Sequence, residues 1–181
     1  MAFNIIGLTG LTCSGKSFFA SQFQNVTGAK LIQLGEYLRK SNREISGLKD
    51  LLVQAERYRD FSLGHFYESE IKQCKEKEQL LIVDSIRTMD DYNFFAEKAD
   101  NFLLVMLLAD QKTRYERSLE RKRIDVIGDA KEFNKKDKWE MDFGIKDLFC
   151  LIDFYHNGNK DNNLDSIREI LNMIEMRERS S

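Results

Sequence analysis

The chain has 181 residues, of which 42% are hydrophobic and 32% charged, a composition typical of one globular domain with a sizeable core. Its 28 basic residues are balanced by 30 acidic ones, so a general role on nucleic acid or on a membrane surface is not expected. No apolar run reaches membrane-spanning length, and we expect neither a signal peptide nor an anchor. Three widely spaced cysteines without metal-ligand spacing favour a reduced, cytoplasmic setting.

The first predicted elements are a strand over residues 3–8 and a helix that begins near Ser17. Residues 10–17, between them, match the phosphate-loop pattern G-x-x-x-x-G-K-[ST] at every fixed position. A preceding strand and a following helix are the context that this pattern requires. The predicted nucleotide-binding residues are Gly10, Leu11, Thr12, Cys13, Ser14, Gly15, Lys16 and Ser17.

The loop's residue types explain how it would bind a polyphosphate. Gly10 and Gly15 allow backbone angles that let successive N–H groups point inward, and the helix start adds its positive dipole end. Lys16 then reaches the β- and γ-phosphates and Ser17 ligates Mg²⁺, so the predicted cofactors are ATP and Mg²⁺. For Cys13, two interpretations stay open: an oxidisable thiol near a helix start, or a small side chain tolerated at a free position.

The next segment is too long for a simple crossover between strands. Residues 30–34 predict a short second strand, and from residue 36 to about residue 78 the pattern is mostly helical and rich in arginine. This stretch is therefore predicted to be an insert.

Residues 80–84 form an apolar run that ends in Asp84, which indicates a parallel strand buried on both faces. At the carboxyl end of the sheet, beside the phosphate loop, Asp84 can orient Mg²⁺. The alternative is that Asp84 only caps the following turn. Arg87 follows the same strand and points a guanidinium into the same crevice.

A helix is predicted over residues 89–99, a buried strand over 102–108 and a further helix capped by Asp110. Arg114, Arg117 and Arg121 share one face of that helix because they lie three and four residues apart. This face either binds phosphate or is a solvated surface on which Glu116 and Glu120 pair with neighbouring arginines.

Residues 124–138 are polar and charged and predict a mobile flap rather than core. A short helix over 143–149, a last strand over 151–155 and a closing helix follow. Strands that alternate with helices predict a three-layer α/β fold, a parallel five-stranded sheet with helices on both faces. Asn134–Asp137 and Asp142–Gly144 spell GTPase and protein-kinase motifs but lack the companion motifs, and His65 and His156 lack metal-ligand spacing.

With these pieces in place, the chain resembles the P-loop nucleoside-monophosphate-kinase superfamily, above all its adenylate-kinase-like and dephospho-CoA-kinase-like members. Residues 5–10 with the phosphate loop resemble the start of dephospho-CoA kinases. Gly35, Glu36 and Arg39 resemble the segment that begins the monophosphate-binding helices. Residues 84–87 are similar to the Asp-Gly-x-x-Arg whose arginine grips the acceptor phosphate, with Ser85 where that pattern has glycine.

The second half of the chain continues the resemblance. Arginines on and after the helix capped by Asp110 match those that enter the family's lid. Residues 133–137 resemble the lid's second arm, and residues 153–164 resemble the closing strand and last helix. Lys136 stands where a lid arginine would be expected, which leaves the lid chemistry and the acceptor open. The lid arginines are Arg114, Arg117, Arg121 and Arg123.

The resemblance implies a single kinase domain over residues 1–181, with an acceptor-binding insert over about 36–78 and a lid over about 117–142. The implied activity is an ATP- and Mg²⁺-dependent kinase that transfers the γ-phosphoryl to a nucleotide or nucleotide-like acceptor, as a monomer or homodimer. The alternative is a nucleotide-binding regulatory module or slow ATPase that acts on a partner protein. The implied roles are catalytic for Lys16, Arg87, Arg117, Arg121 and Arg123, acceptor-binding for Glu36, Arg39 and Arg87, and Mg²⁺-binding for Ser17 and Asp84.

Overall fold

The computed structural model describes residues 2–36, 53, 55–58, 61–120, 129–160 and 162–180. The strands are β1 Asn4–Thr9, β2 Lys30–Gln33, β3 Leu81–Asp84, β4 Asn101–Leu108 and β5 Phe154–Asn157. The α-helices are α1 Lys16–Thr27, α2 Glu68–Glu76, α3 Met89–Lys98, α4 Gln111–Glu120, α5 Ala130–Phe143 and α6 Asn163–Ser180. Two 3₁₀-helices lie at Leu63–Tyr67 and Ile145–Leu151.

All five strands belong to one parallel sheet in the order β2-β3-β1-β4-β5. The central strand β1 pairs with β3 on one side and β4 on the other, and Leu8 lies level with both Asp84 and Val105. The carboxyl ends of β1 and β3 therefore meet at one edge, directly before the phosphate loop. The predicted fold class is confirmed.

The core consists of two apolar clusters, one on each face of the sheet. Successive residues of a strand point to opposite faces, so Ile5 lies in one cluster and Ile6 in the other. Phe19 and Phe23 of α1 pack with α6 on one face, while α2, α3 and the end of α5 cover the other. Because both faces are covered, the strands are continuous apolar runs rather than alternating ones.

The predicted flap over residues 124–138 is wrong where the structure describes it. From Ala130 the chain is helical, and Phe133 and Lys136 are buried. The Asp129 carboxylate caps this helix by accepting from the N–H of Glu132 at 2.7 Å. The polar residues suggest a solvated segment, but the helix turns part of its charged face inward, where it meets other charged groups.

The end of the chain also differs in detail from the prediction. The expected short helix over 143–149 is a 3₁₀-helix, and β5 begins at Phe154 rather than at residue 151. Asp153 aligns this strand, since its N–H donates to the Leu104 carbonyl and its carboxylate accepts from the Leu104 N–H at 2.8 Å. The predicted cap of α4 is present, because Asp110 accepts from the N–H of Thr113 at 2.9 Å.

Candidate active site

The phosphate loop turns on two glycines with positive φ, Gly10 at 131° and Gly15 at 103°. A Cβ on Gly10 would lie 2.4 Å from the Leu107 carbonyl oxygen, so the loop packs closely on the end of β4. On the other side, the one described atom that a Cβ on Gly15 would meet within 4 Å belongs to the Arg117 guanidinium, at 3.9 Å. The loop therefore leaves an open hollow at the N-terminus of α1, and this hollow faces an arginine.

Lys16 begins α1 and extends its ammonium along the loop. It donates to the carbonyl oxygens of Gly10 at 2.6 Å and Leu11 at 2.9 Å. The side chain is buried, so its charge acts in a region of reduced solvent screening.

Asp84 lies at the carboxyl end of β3, where it meets the start of α1. Its carboxylate accepts from the Ser17 hydroxyl at 2.8 Å and from the Ser85 hydroxyl at 3.2 Å. Thr88, and not Asp84, caps α3 by accepting from the N–H of Asp91. A hydroxyl and a carboxylate side by side are hard oxygen donors that fit Mg²⁺. Within the described residues, no cluster of three or more His, Cys, Asp or Glu side chains offers an alternative metal site.

Arg87 follows β3 and points towards the loop, where it meets Glu140 of α5. One of its terminal nitrogens donates to the Glu140 carboxylate at 3.3 Å. Its Nε is buried and has no hydrogen-bond partner among the described residues. An arginine that keeps a buried donor unused is suited to bind an anion from a ligand.

Glu140 is a component of the site that the sequence did not predict. It is 1% exposed and accepts from the N–H of Thr12 at 2.7 Å and from the Thr12 hydroxyl at 2.5 Å. Burial raises the pKa of the Glu140 carboxyl, but the charges of Arg87, Lys136 and Lys16 outweigh it and bring that pKa below its usual value. The signal that could have found Glu140 is the helical spacing of Phe133, Lys136 and Glu140 on one face of α5.

The arginines of α4 have different roles in the structure. Arg114 is buried and makes a bidentate pair with Asp137 of α5, with both N–O distances at 2.6 Å. Arg117, one turn later, donates to the carbonyls of Cys13 at 3.3 Å and Gly158 at 2.7 Å. Neither arginine lies on a solvated face paired with Glu116 or Glu120, so that alternative is wrong for these two.

A pocket of about 620 Å³ opens beside the phosphate loop. Its lining includes Ser17, Phe18 and Arg117 of α1 and α4, and His156, Asn159 and Lys160 at and after the end of β5. Gly158 brings the chain after β5 close to the loop, because a Cβ there would lie 2.3 Å from the Ser14 carbonyl oxygen. The pocket therefore continues from the loop and is large enough for a nucleoside.

Three of the predicted site residues, Arg39, Arg121 and Arg123, lie outside the described residues. Glu36 follows β2 at the same edge of the sheet, with Gln33 of that strand level with Asp84. The structure thus brings Lys16, Ser17, Asp84, Arg87 and Arg117 together around the loop.

The sheet order, the glycine loop between β1 and α1, and the Ser17–Asp84 pair define a P-loop protein with the fold of nucleoside-monophosphate kinases. Solved structures share this fold. Shikimate kinase from Bacteroides thetaiotaomicron has a TM-score of 0.61 at 14% identity, with 97% of this chain and 99% of that chain covered. Shikimate kinase from Acinetobacter baumannii in complex with shikimate gives 0.60 at 14% identity, covering 96% and 93%. A sugar kinase from a Janibacter species gives 0.58 at 11% identity, covering 97% and 95%.

Relatives in sequence identify the family. A UPF0200 protein of Sulfurisphaera tokodaii is 30% identical over 155 residues, which are 83% of this chain and 84% of the relative. Another UPF0200 protein, from Methanothermobacter thermautotrophicus, is 27% identical over 153 residues, covering 83% and 78%. The chain belongs to the UPF0200 family. No protein-family model matches it, and none of the helices in its described part is long and apolar enough to cross a membrane.

Proposed function

We propose that this protein is an ATP- and Mg²⁺-dependent small-molecule kinase that transfers the γ-phosphoryl to a nucleotide or nucleotide-like acceptor. The observation that carries the proposal is the convergence of the loop hollow, Lys16, the Ser17–Asp84 pair and Arg87 at one edge of the sheet. Phosphoryl transfer needs positioning and charge neutralisation more than covalent chemistry, and these groups supply both.

The donor nucleotide binds at the loop. Loop amides and the positive end of α1 hold the phosphates, Lys16 turns from the loop carbonyls to the β- and γ-phosphates, and Ser17 and Asp84 hold Mg²⁺. The nucleoside lies in the adjacent 620 Å³ pocket, which Arg117 lines together with the loop residues Cys13 and Gly15. Bound Mg²⁺ neutralises charge on the transferring group.

The acceptor binds on the other side of the loop, next to Arg87. The unused buried Nε of Arg87 supplies a charge-assisted hydrogen bond to an acceptor phosphate. Glu36 and Arg39 belong to the same acceptor region, at the start of the insert over residues 36–78. If the accepting group is already a phosphate, no general base is required.

The lid over residues 117–142 includes α5, and α5 reaches the insert. The indole N–H of Trp139 donates to the Glu56 carboxylate at 2.8 Å. The two segments are therefore in contact, and together they can exclude water, which would otherwise hydrolyse ATP. Arg121 and Arg123 complete the lid's positive charge.

The test is a coupled assay of ADP release from Mg·ATP. It is run without acceptor and then with nucleoside monophosphates, deoxynucleoside monophosphates, dephospho-CoA, shikimate and simple sugars. Shikimate and sugars are included because the similar solved structures are shikimate kinases and a sugar kinase. Stimulation by one acceptor class supports a kinase. Slow hydrolysis that no acceptor stimulates favours a regulatory nucleotide-binding module.

Lys16→Ala is expected to abolish acceptor phosphorylation and leave the fold intact, because the ammonium donates to the loop carbonyls of Gly10 and Leu11 and its proposed role is to bind the transferring phosphates. Lys112→Ala is the matched control, since Lys112 is an 86% exposed lysine on α4. Normal phosphorylation by Lys16→Ala would refute the proposed chemistry.

A further inference from the structure

The Glu140 carboxylate takes up hydrogen bonds and positive charge in the way that a bound phosphate would. Two of its bonds come from the loop residue Thr12, and a third comes from Arg87. Lys136 and Lys16 also lie close enough to act on its charge. The Glu140 carboxylate of α5 therefore already interacts with the positive charges and the hydrogen-bond donors beside the phosphate loop.

The position of Glu140 is maintained by attachments of the chain on either side of it, at Asp137 and at Gly144. One turn before Glu140, Asp137 pairs with Arg114, which also donates to the Thr12 carbonyl at 3.4 Å. Just after α5, Gly144 packs on the backbone of Arg87, where a Cβ would lie 2.6 Å from the Arg87 carbonyl oxygen. The carboxylate is held against the loop and Arg87 from both directions.

We propose that Glu140 is an internal counter-anion, a positioning residue that holds Arg87 and the phosphate loop in register and competes with the incoming phosphate for the same cations. This inference rests on the proposed function, because the anion that competes with Glu140 is the polyphosphate of the bound nucleotide. It assigns a role to a residue on α5 that is far from the loop in sequence.

The proposal has a consequence that a purely structural residue does not share. Glu140→Gln keeps the shape and removes the negative charge. Its one oxygen can still accept from the Thr12 N–H, and its amide can donate to the Thr12 hydroxyl. The three neighbouring cations then repel one another, so the thermal midpoint without ligand falls. The same cations attract a polyphosphate more strongly, so its affinity rises, by about fivefold or more at 0.1 M salt.

The experiment is calorimetric titration of the full chain with sodium tripolyphosphate and with Mg·ADP. Wild type and Glu140→Gln are compared with Glu132→Gln, which makes the same charge change at an exposed position on the same helix. Tighter tripolyphosphate binding by Glu140→Gln alone, together with its lower midpoint, supports the proposal. Unchanged or weaker binding by folded Glu140→Gln overturns it, as does the same gain in Glu132→Gln.

If Glu140→Gln does not fold, the comparison is made in a Lys136→Gln background, where the double variant has the wild-type net charge. The double variant is expected to bind tripolyphosphate more tightly than Lys136→Gln alone by the same factor, and equal binding overturns the proposal. The Mg·ADP titration distinguishes a failure of the kinase hypothesis from a failure of the Glu140 proposal. Wild type that binds no nucleotide contradicts the proposed function, whereas the tripolyphosphate comparison still tests Glu140.

Discussion

Replacement of Arg114 by methionine should destabilise the fold strongly, because it leaves Asp137 buried without its partner. The Arg114 side chain is 5% exposed and the Asp137 side chain 13%, and two bonds of 2.6 Å join them. Breaking such a buried pair by removing one partner costs about 3–5 kcal/mol. Methionine restores part of the apolar packing that Arg114 has against the ring of Phe133, so we expect about 3 kcal/mol.

The assay is equilibrium urea unfolding of Arg114→Met, Asp137→Asn and the double variant. Since both single variants break the same pair, their costs should not add, and the coupling energy should be about 2 kcal/mol or more. Arg117→Met is the matched control, because Arg117 lies one turn further along α4 and its bonds to the described residues go to the neutral carbonyls of Cys13 and Gly158. Its loss should cost about 1 kcal/mol.

This reasoning would be refuted if Arg114→Met lowered the free energy of unfolding by less than about 1 kcal/mol, which is the range of exposed ion pairs. Strict additivity in the double variant would also refute it, since the two residues would then act separately.

Gly144→Ala should lower the thermal midpoint more than Gly28→Ala, because a Cβ at Gly144 would lie 2.6 Å from the Arg87 carbonyl oxygen, whereas Gly28 has nothing within 4 Å. Both replacements carry the strain of a positive φ, and this strain is greater at Gly144, where φ is 156°, than at Gly28, where φ is 70°. Strain and contact therefore act in the same direction, and equal losses would contradict the prediction. His156→Gln should flatten the fall in stability below pH 6.5, since burial lowers the pKa of His156 and the unfolded chain gains that proton first. The contribution of neutral His156 to stability is thus fully present above pH 6.5 and is lost as the pH falls. The free energy of unfolding is measured with urea at several pH values, and an unchanged dependence on pH in His156→Gln would exclude His156 as the cause.

Much of the fold could be predicted because its signals are local. The phosphate loop lies within residues 10–17, and the strands that end at Asp84 and Leu108 are uninterrupted apolar runs. Their alternation with helices requires a parallel sheet covered on both faces, and the structure has that sheet.

The prediction was wrong for α5 because amphipathic patterning does not say which side faces solvent. Residues 124–138 are polar and charged, and this composition predicts a mobile flap. In the structure Lys136, and Glu140 one turn further along the helix, are buried, because each finds charged or polar partners there. Burial of a charge depends on partners that lie elsewhere in the chain, and no local pattern contains them.

The sequence by itself determined the phosphate loop, the class of fold and the residues that follow each strand at the loop's edge. Only the tertiary structure decided which charged groups meet there: Glu140 reaches Thr12 across 128 residues, and Arg114 joins Asp137 rather than the hollow above the loop. The physical reason is distance along the chain. Backbone propensity and apolar periodicity act between near neighbours, whereas the pairing of buried charges is settled only when packing brings separate helices together.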